Sequence, residues 1–222
     1  MKKKSPTKGL LMFLFITARR NLIGGYLIAV IVGIIFFFTG HPNAYRSFMG
    51  MSVTFPPLYL MLAIGDSAKW ERYQVSMPIR RRVVVNTFYI GMIITSLLGI
   101  PLFALITIIS GTLHEGLFEY VASTLITGLS VSYGYALIVA AFYYPLELRK
   151  GNGRGEAIAT IAVLIAIGIS LPFGISRDLM VLAEGISALI FIGIAVVLYF
   201  ISYFVSQRIY AKLDLTAGGR NT

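Results

Sequence analysis

The chain has 222 residues, of which 57% are hydrophobic and only 13% charged, with a mean hydropathy of +0.83. Soluble domains carry about 25% charged residues, so this composition excludes a soluble globular domain and fits an integral membrane protein. The chain has no cysteine, which removes disulfides, thiolate metal sites and Cys nucleophiles, and its two histidines, His41 and His114, lie too far apart in sequence to suggest a metal centre.

In chain order, a basic start with Lys2, Lys3, Lys4 and Lys8 leads into a short apolar run that ends at Arg19 and Arg20. The flanking charge resembles a signal peptide, but the run is short and two arginines stand where a small-residue cleavage site belongs, so no cleaved signal is expected. Residues 1–21 read either as a separate basic helix lying in the cytoplasmic interface or as an extension of the first span. Six apolar segments then approach the roughly 20 residues that cross a bilayer: 22–39, 48–64, 83–110, 117–146, 157–175 and 179–205. The second is short and carries Pro56 and Pro57, a kink that neighbouring helices must satisfy. Pro101 and Pro172 suggest bends in the third and fifth. The expected fold is all-α, a polytopic membrane protein with a six-span domain over 22–205 and a cytoplasmic tail over 206–222.

The basic residues orient these spans. Six precede the first span, and Lys69, Arg72, Arg80, Arg81 and Arg82 separate the second from the third. Arg149, Lys150 and Arg154 separate the fourth from the fifth, and Arg208, Lys212 and Arg220 follow the sixth. Only Arg46 and Arg177 fall on the other side. The positive-inside rule puts both termini in the cytoplasm, in a multi-pass cell-membrane protein. The net charge of +10 is then explained by topology and attraction to an anionic bilayer, and no nucleic-acid partner is expected.

The segment 65–82, between the second and third spans, carries the most information. Asp66 can cap a short helix. Trp70, Tyr73 and Met77 follow at spacings that share one helical face, and Pro78 ends the helix or kinks it. The result is a short amphipathic helix presented to the cytoplasm. A second cytoplasmic loop, 147–156, contains Gly151, Gly153 and Gly155, but no Lys-Ser or Lys-Thr follows and no strand precedes them, so they form no phosphate cradle. ATP hydrolysis by this chain alone is not expected.

Asp66, Trp70-Glu71-Arg72-Tyr73, Ser76-Met77-Pro78-Ile79-Arg80 and the Val83-Val84-Val85 that opens the next span resemble the signature region of the ABC-2 type permeases, in particular a compact prokaryotic group with six spans and little else. Met77 stands where that family usually has leucine, and Arg81 where it has a small residue. The resemblance implies a type V exporter-like permease architecture in which residues 65–82 form a coupling helix. It implies a homodimer, or a heterodimer with a related permease, and an ATP-binding cassette ATPase as a separate subunit. ATP and Mg would be bound by that subunit, with no cofactor in this chain. Asp66, Trp70, Glu71, Arg72, Tyr73, Met77, Pro78 and Arg80 are the residues it assigns to ATPase coupling. Trp70 and Tyr73 are rigid anchors of the kind that dominate interfaces, and Glu71 and Arg72 can set register at the rim. The same residues also suit a membrane-interface anchor.

No catalytic or metal-binding set emerges elsewhere. Glu115, Glu119, Asp178 and Glu184 fall near the outer ends of spans, with Glu184 about a turn and a half into the sixth. Gly128, Ser132, Ala136 and Ala140 form a ridge of small residues in the fourth span that lets another helix approach closely. Tyr133, Tyr135, Tyr143 and Tyr144 add aromatic surface there, so Tyr133, Tyr135 and Glu184 mark a candidate substrate path for a hydrophobic or amphipathic cargo, such as a peptide, antibiotic, lipid or drug. Two other function classes compete with an exporter subunit. One is an ion-coupled secondary multidrug transporter, which needs a mid-membrane acidic residue that the sequence does not offer. The other is a non-transporting scaffold or regulatory subunit.

Overall fold

The computed structural model describes residues 6–39, 80–113, 118–150, 155–179 and 184–212. These form five helices: α1 (Pro6–Thr39), α2 (Arg81–Leu113), α3 (Phe118–Lys150), α4 (Gly155–Leu179) and α5 (Glu184–Lys212). Four of them contain stretches long and apolar enough to cross a membrane, namely Thr7–Ile28, Arg82–Pro101, Leu129–Arg149 and Ala188–Lys212, and α4 contributes a shorter apolar stretch, Ala157–Ile169. The expected second span, 48–64, and segment 65–79 lie outside the described residues, as does the tail from 213 onward.

Three helix boundaries bear on the sequence reading, the first on a choice it left open. α1 continues unbroken through Arg19 and Arg20, so residues 9–20 are continuous in backbone with the apolar run that follows. α3 continues through Pro145 to Lys150 and α4 opens at Gly155, so most of the expected loop 147–156 is helical. α4 extends to Leu179 and α5 is described from Glu184, which puts Glu184 at the first described residue of the last helix.

α3 packs most extensively on α5, and α2 lies against both; α4 also rests on α3, and α1 on α2. Where α3 meets α5, Gly134 faces Phe191 and Ala195 and the Ala141 carbonyl meets Ser202, while the small-residue ridge lies on another face of α3. Ser132, Ala136 and Ala140 are all buried within this one chain, so this part of the ridge is packed without needing a second protomer. At Gly134 the approach is so close that a Cβ would lie 2.7 Å from the Phe191 ring.

Along α5 the buried positions are Ala188, Phe191, Ala195, Tyr199, Ser202, Ser206 and Tyr210, spaced three and four apart. One helical face therefore turns inward, and it carries small and polar side chains. Leu189, Val197, Phe200 and Phe204 point outward with at least 58% exposure. Polar groups inside and apolar groups outside is the arrangement a lipid environment demands.

Candidate functional site

Of the residues expected to couple to an ATPase, Asp66, Trp70, Glu71, Arg72, Tyr73, Met77 and Pro78 lie outside the described residues; Arg80 is described and exposed. Its carbonyl accepts a hydrogen bond from the Val83 amide at 2.8 Å, closing the first turn of α2. The structure therefore shows where that segment delivers the chain: directly into α2, at the end of the bundle where Arg80, Arg82, Arg149 and Arg208 are exposed.

Two turns into α2, a buried polar cluster ties it to α3 and α5. The Tyr89 hydroxyl lies 2.6 Å from Ser202 Oγ and 2.8 Å from Ser206 Oγ, both on α5. Ser202 Oγ also donates to the Ala141 carbonyl of α3 at 2.6 Å. Each hydroxyl has a single proton, and that of Ser202 is committed to Ala141. Tyr89 must then donate to Ser202, which leaves Ser206 to donate to Tyr89. The chain runs one way, from Ser206 through Tyr89 and Ser202 to the Ala141 carbonyl. Such chains polarise one another in a low-dielectric interior.

The destination of that chain explains how a proline sits inside α3. Pro145 has no N–H, so the carbonyl four residues earlier lacks its helical donor. That carbonyl belongs to Ala141, and Ser202 supplies the missing bond. Side chains of neighbouring helices are a recognised means of satisfying such gaps in apolar surroundings.

Further bonds reinforce the joint. Tyr199 donates to the Tyr89 carbonyl at 2.7 Å, and Tyr144 to the Phe88 carbonyl at 3.1 Å. Nearer the start of α2, Asn86 Oδ1 accepts from the Tyr203 hydroxyl at 2.7 Å and from Gln207 Nε2 at 3.4 Å. The Tyr89 ring is surrounded by those of Tyr144, Tyr199 and Tyr203, with centroids 4.8, 5.0 and 5.3 Å away, within the range where aromatic pairs attract.

The candidate substrate-path residues fall elsewhere. Tyr133 and Tyr135 are half-buried on α3, and the Tyr135 hydroxyl donates to the Val163 carbonyl of α4 at 3.3 Å. Tyr143 and Tyr144, read from sequence as aromatic surface, are core residues with 1% and 3% exposure. The backbone of Glu184 opens α5, and its side chain lies outside the described residues. Among the described residues, no three His, Cys, Asp or Glu side chains come together.

The sequence reading missed the cluster. Its available signal was the run Tyr199, Ser202, Tyr203, Ser206, Gln207 and Tyr210, which lays polar groups at helical spacing along an otherwise apolar span. Ser202→Ala strands the Ala141 carbonyl, which costs about 1–3 kcal/mol. A chain of this size loses roughly 2–4 °C of unfolding midpoint per kcal/mol. Thermal unfolding in detergent should therefore show a drop of several degrees. Adding Pro145→Ala, which restores an N–H for the same carbonyl, should recover most of it.

Neither a curated protein nor a solved structure matches the chain. A family model described as "ABC-2 family transporter protein" matches residues 10–211. That span takes in every described helix almost end to end, together with the segment that leads into α2, and so the chain belongs to the ABC-2 transporter family.

Proposed function

We propose that the chain is the membrane subunit of an ATP-binding cassette exporter that moves a hydrophobic or amphipathic substrate out of the cell. The family match over residues 10–211 carries this reading. Permeases of this family are membrane transport components, not catalysts by themselves. ATP and Mg are bound by a separate ATPase subunit, and the permease acts as a homodimer or as a heterodimer with a related chain. Segment 65–82 docks in that ATPase through Trp70 and Tyr73, with Asp66, Glu71, Arg72, Met77, Pro78 and Arg80 shaping the helix and its rim. The exit of this segment into α2, whose first turn closes at Arg80, supports the assignment. The spans number six, with 48–64 as the second.

Copurification of the chain with a candidate ATPase, followed by ATPase assays over a panel of peptides, lipids and drugs, tests the proposal. Retention of the ATPase and stimulation by at least one amphipathic class is the expected result. Failure to retain any ATPase under conditions that preserve the folded permease contradicts it.

The proposed orientation puts both termini and the Trp70 segment in the cytoplasm of a cell-membrane protein. The chain has no cysteine, so single cysteines can be introduced cleanly. An impermeant thiol reagent on intact cells should label Thr112→Cys and spare Ser67→Cys. The reverse pattern contradicts the orientation.

A further inference from the structure

Three features of the polar cluster belong together. Pro145 removes a hydrogen bond from α3 five residues before that helix ends at Lys150, and a proline gap is where a helix bends most readily. The freed Ala141 carbonyl is taken by Ser202 of α5 at 2.6 Å. The Ser202 hydroxyl is held in turn by Tyr89 of α2, also at 2.6 Å. We infer that Ser206, Tyr89 and Ser202 form a latch that holds α3 straight across Pro145, and that displacement of α2 from α5 opens the latch and lets α3 bend there. The trigger, motion passed from segment 65–82 into α2, rests on the reading given under Proposed function. The latch itself does not.

The geometry suits a two-state element. Hydrogen bonds are directional and weaken steeply with distance and misalignment, so a small separation of α2 from α5 releases Tyr89 from both serines. The links from Tyr199 to the Tyr89 carbonyl and from Tyr144 to the Phe88 carbonyl attach to the same turn of α2. They make α2, α3 and α5 move as one body while the latch is closed. With the latch open, Ser202 loses the partner that orients its hydroxyl toward Ala141, and the Pro145 gap is no longer reliably filled. Tyr89, Ser202 and Ser206 are thus positioning residues. They touch no substrate and act through the shape of α3.

Spin labels at Arg149→Cys, one turn beyond the proline on α3, and at Val197→Cys on the adjoining α5 follow the end of α3 relative to its neighbour, and both positions are exposed. The part of α3 beyond the hinge is about one and a half turns long, so a bend swings it sideways by a few ångström, a shift that pulsed electron resonance resolves. The measurement uses the otherwise cysteine-free permease alone in lipid nanodiscs, so its outcome does not depend on whether an ATPase binds segment 65–82. The expected result is one narrow distance for the parent chain. Ser202→Ala should broaden the distribution, and Tyr89→Phe should do so to a lesser degree. Each lost bond shifts the balance between straight and bent forms by about fivefold. In the Pro145→Ala background the distance should stay narrow even with Ser202→Ala, because the restored N–H fills the gap. A narrow distance in Ser202→Ala overturns the latch, as does broadening that persists with Pro145→Ala. A silent Tyr89→Phe beside a broadened Ser202→Ala removes α2 from the mechanism and overturns the inference equally. Size-exclusion profiles confirm that each variant is folded.

Discussion

Replacing both Trp70 and Tyr73 by alanine is expected to release the ATPase while leaving the membrane domain intact. Interface hot spots typically cost at least about 2 kcal/mol each on truncation, and about 1.4 kcal/mol is a tenfold change in affinity. Each site then weakens association roughly thirtyfold, and the pair by up to about a thousandfold if the two act independently. Neither residue lies in the sequence of α2, α3 or α5, and under the coupling assignment both face the ATPase, so the variant should still reach the membrane and keep the parent's unfolding midpoint. Substitution of Arg81 by serine, in the same segment, should be nearly silent. Pull-down of the ATPase against equal amounts of each permease checks both variants, and thermal unfolding checks the midpoint. Full retention by the double variant contradicts the coupling assignment and returns these residues to a membrane-interface role.

Filling the α3–α5 seam should produce the largest loss of stability. A Cβ at Gly134 meets Phe191 Cε1 at 2.7 Å and Cδ1 at 2.8 Å, with the Ala195 Cβ at 3.6 Å. Phe191 is 1% exposed and belongs to the core, so its ring has little room to swing away. Gly134→Leu adds a whole side chain to that contact and forces the helices apart. Overpacking costs about 1–3 kcal/mol and sometimes more, and this site should reach the upper end. The corresponding fall in unfolding midpoint is roughly 6–12 °C. Gly193→Ala supplies the control. Nothing lies within 4 Å of its added Cβ, and alanine is the better helix former by about 1 kcal/mol. Its midpoint should hold or rise. Equal losses at the two glycines would mean that helix propensity, not the seam, governs stability here.

Composition and the apolar runs announce an all-helical membrane protein, because every backbone polar group in lipid must be satisfied within the segment or by a neighbour. Helix existence is therefore readable, but helix ends are less so. The sequence shows Pro145 followed by Glu147, Arg149 and Lys150, a pattern that reads as the end of a span. The structure carries α3 through it because Ser202, distant in sequence, fills the proline gap. No local signal contains that partner.

The same limit applies to the tyrosines. Tyr143 and Tyr144 look like interfacial aromatics, and only the packing of α2 and α5 around them shows that they are core. Tyr89, Ser202 and Ser206 were visible singly as polar residues in apolar runs. Their chemistry becomes apparent only when antiparallel α2 and α5 bring residues more than a hundred positions apart to hydrogen-bonding distance. The small-residue ridge was the exception. Its four-residue spacing pointed to close packing, and Ser132, Ala136 and Ala140 are indeed buried. The structure adds that these residues are buried within a single chain.

The central claim, that this ABC-2 family chain works as an ATP-driven exporter subunit, is tested most directly by reconstitution. The chain and its ATPase are placed in proteoliposomes, and movement of a fluorescent amphipathic substrate is followed with either ATP or a proton gradient as the energy source. Movement that requires ATP and the ATPase, ignores the gradient and disappears in the Trp70→Ala/Tyr73→Ala double variant is the predicted result. Movement driven by the proton gradient in vesicles that hold the permease alone would contradict the claim and identify an ion-coupled transporter instead.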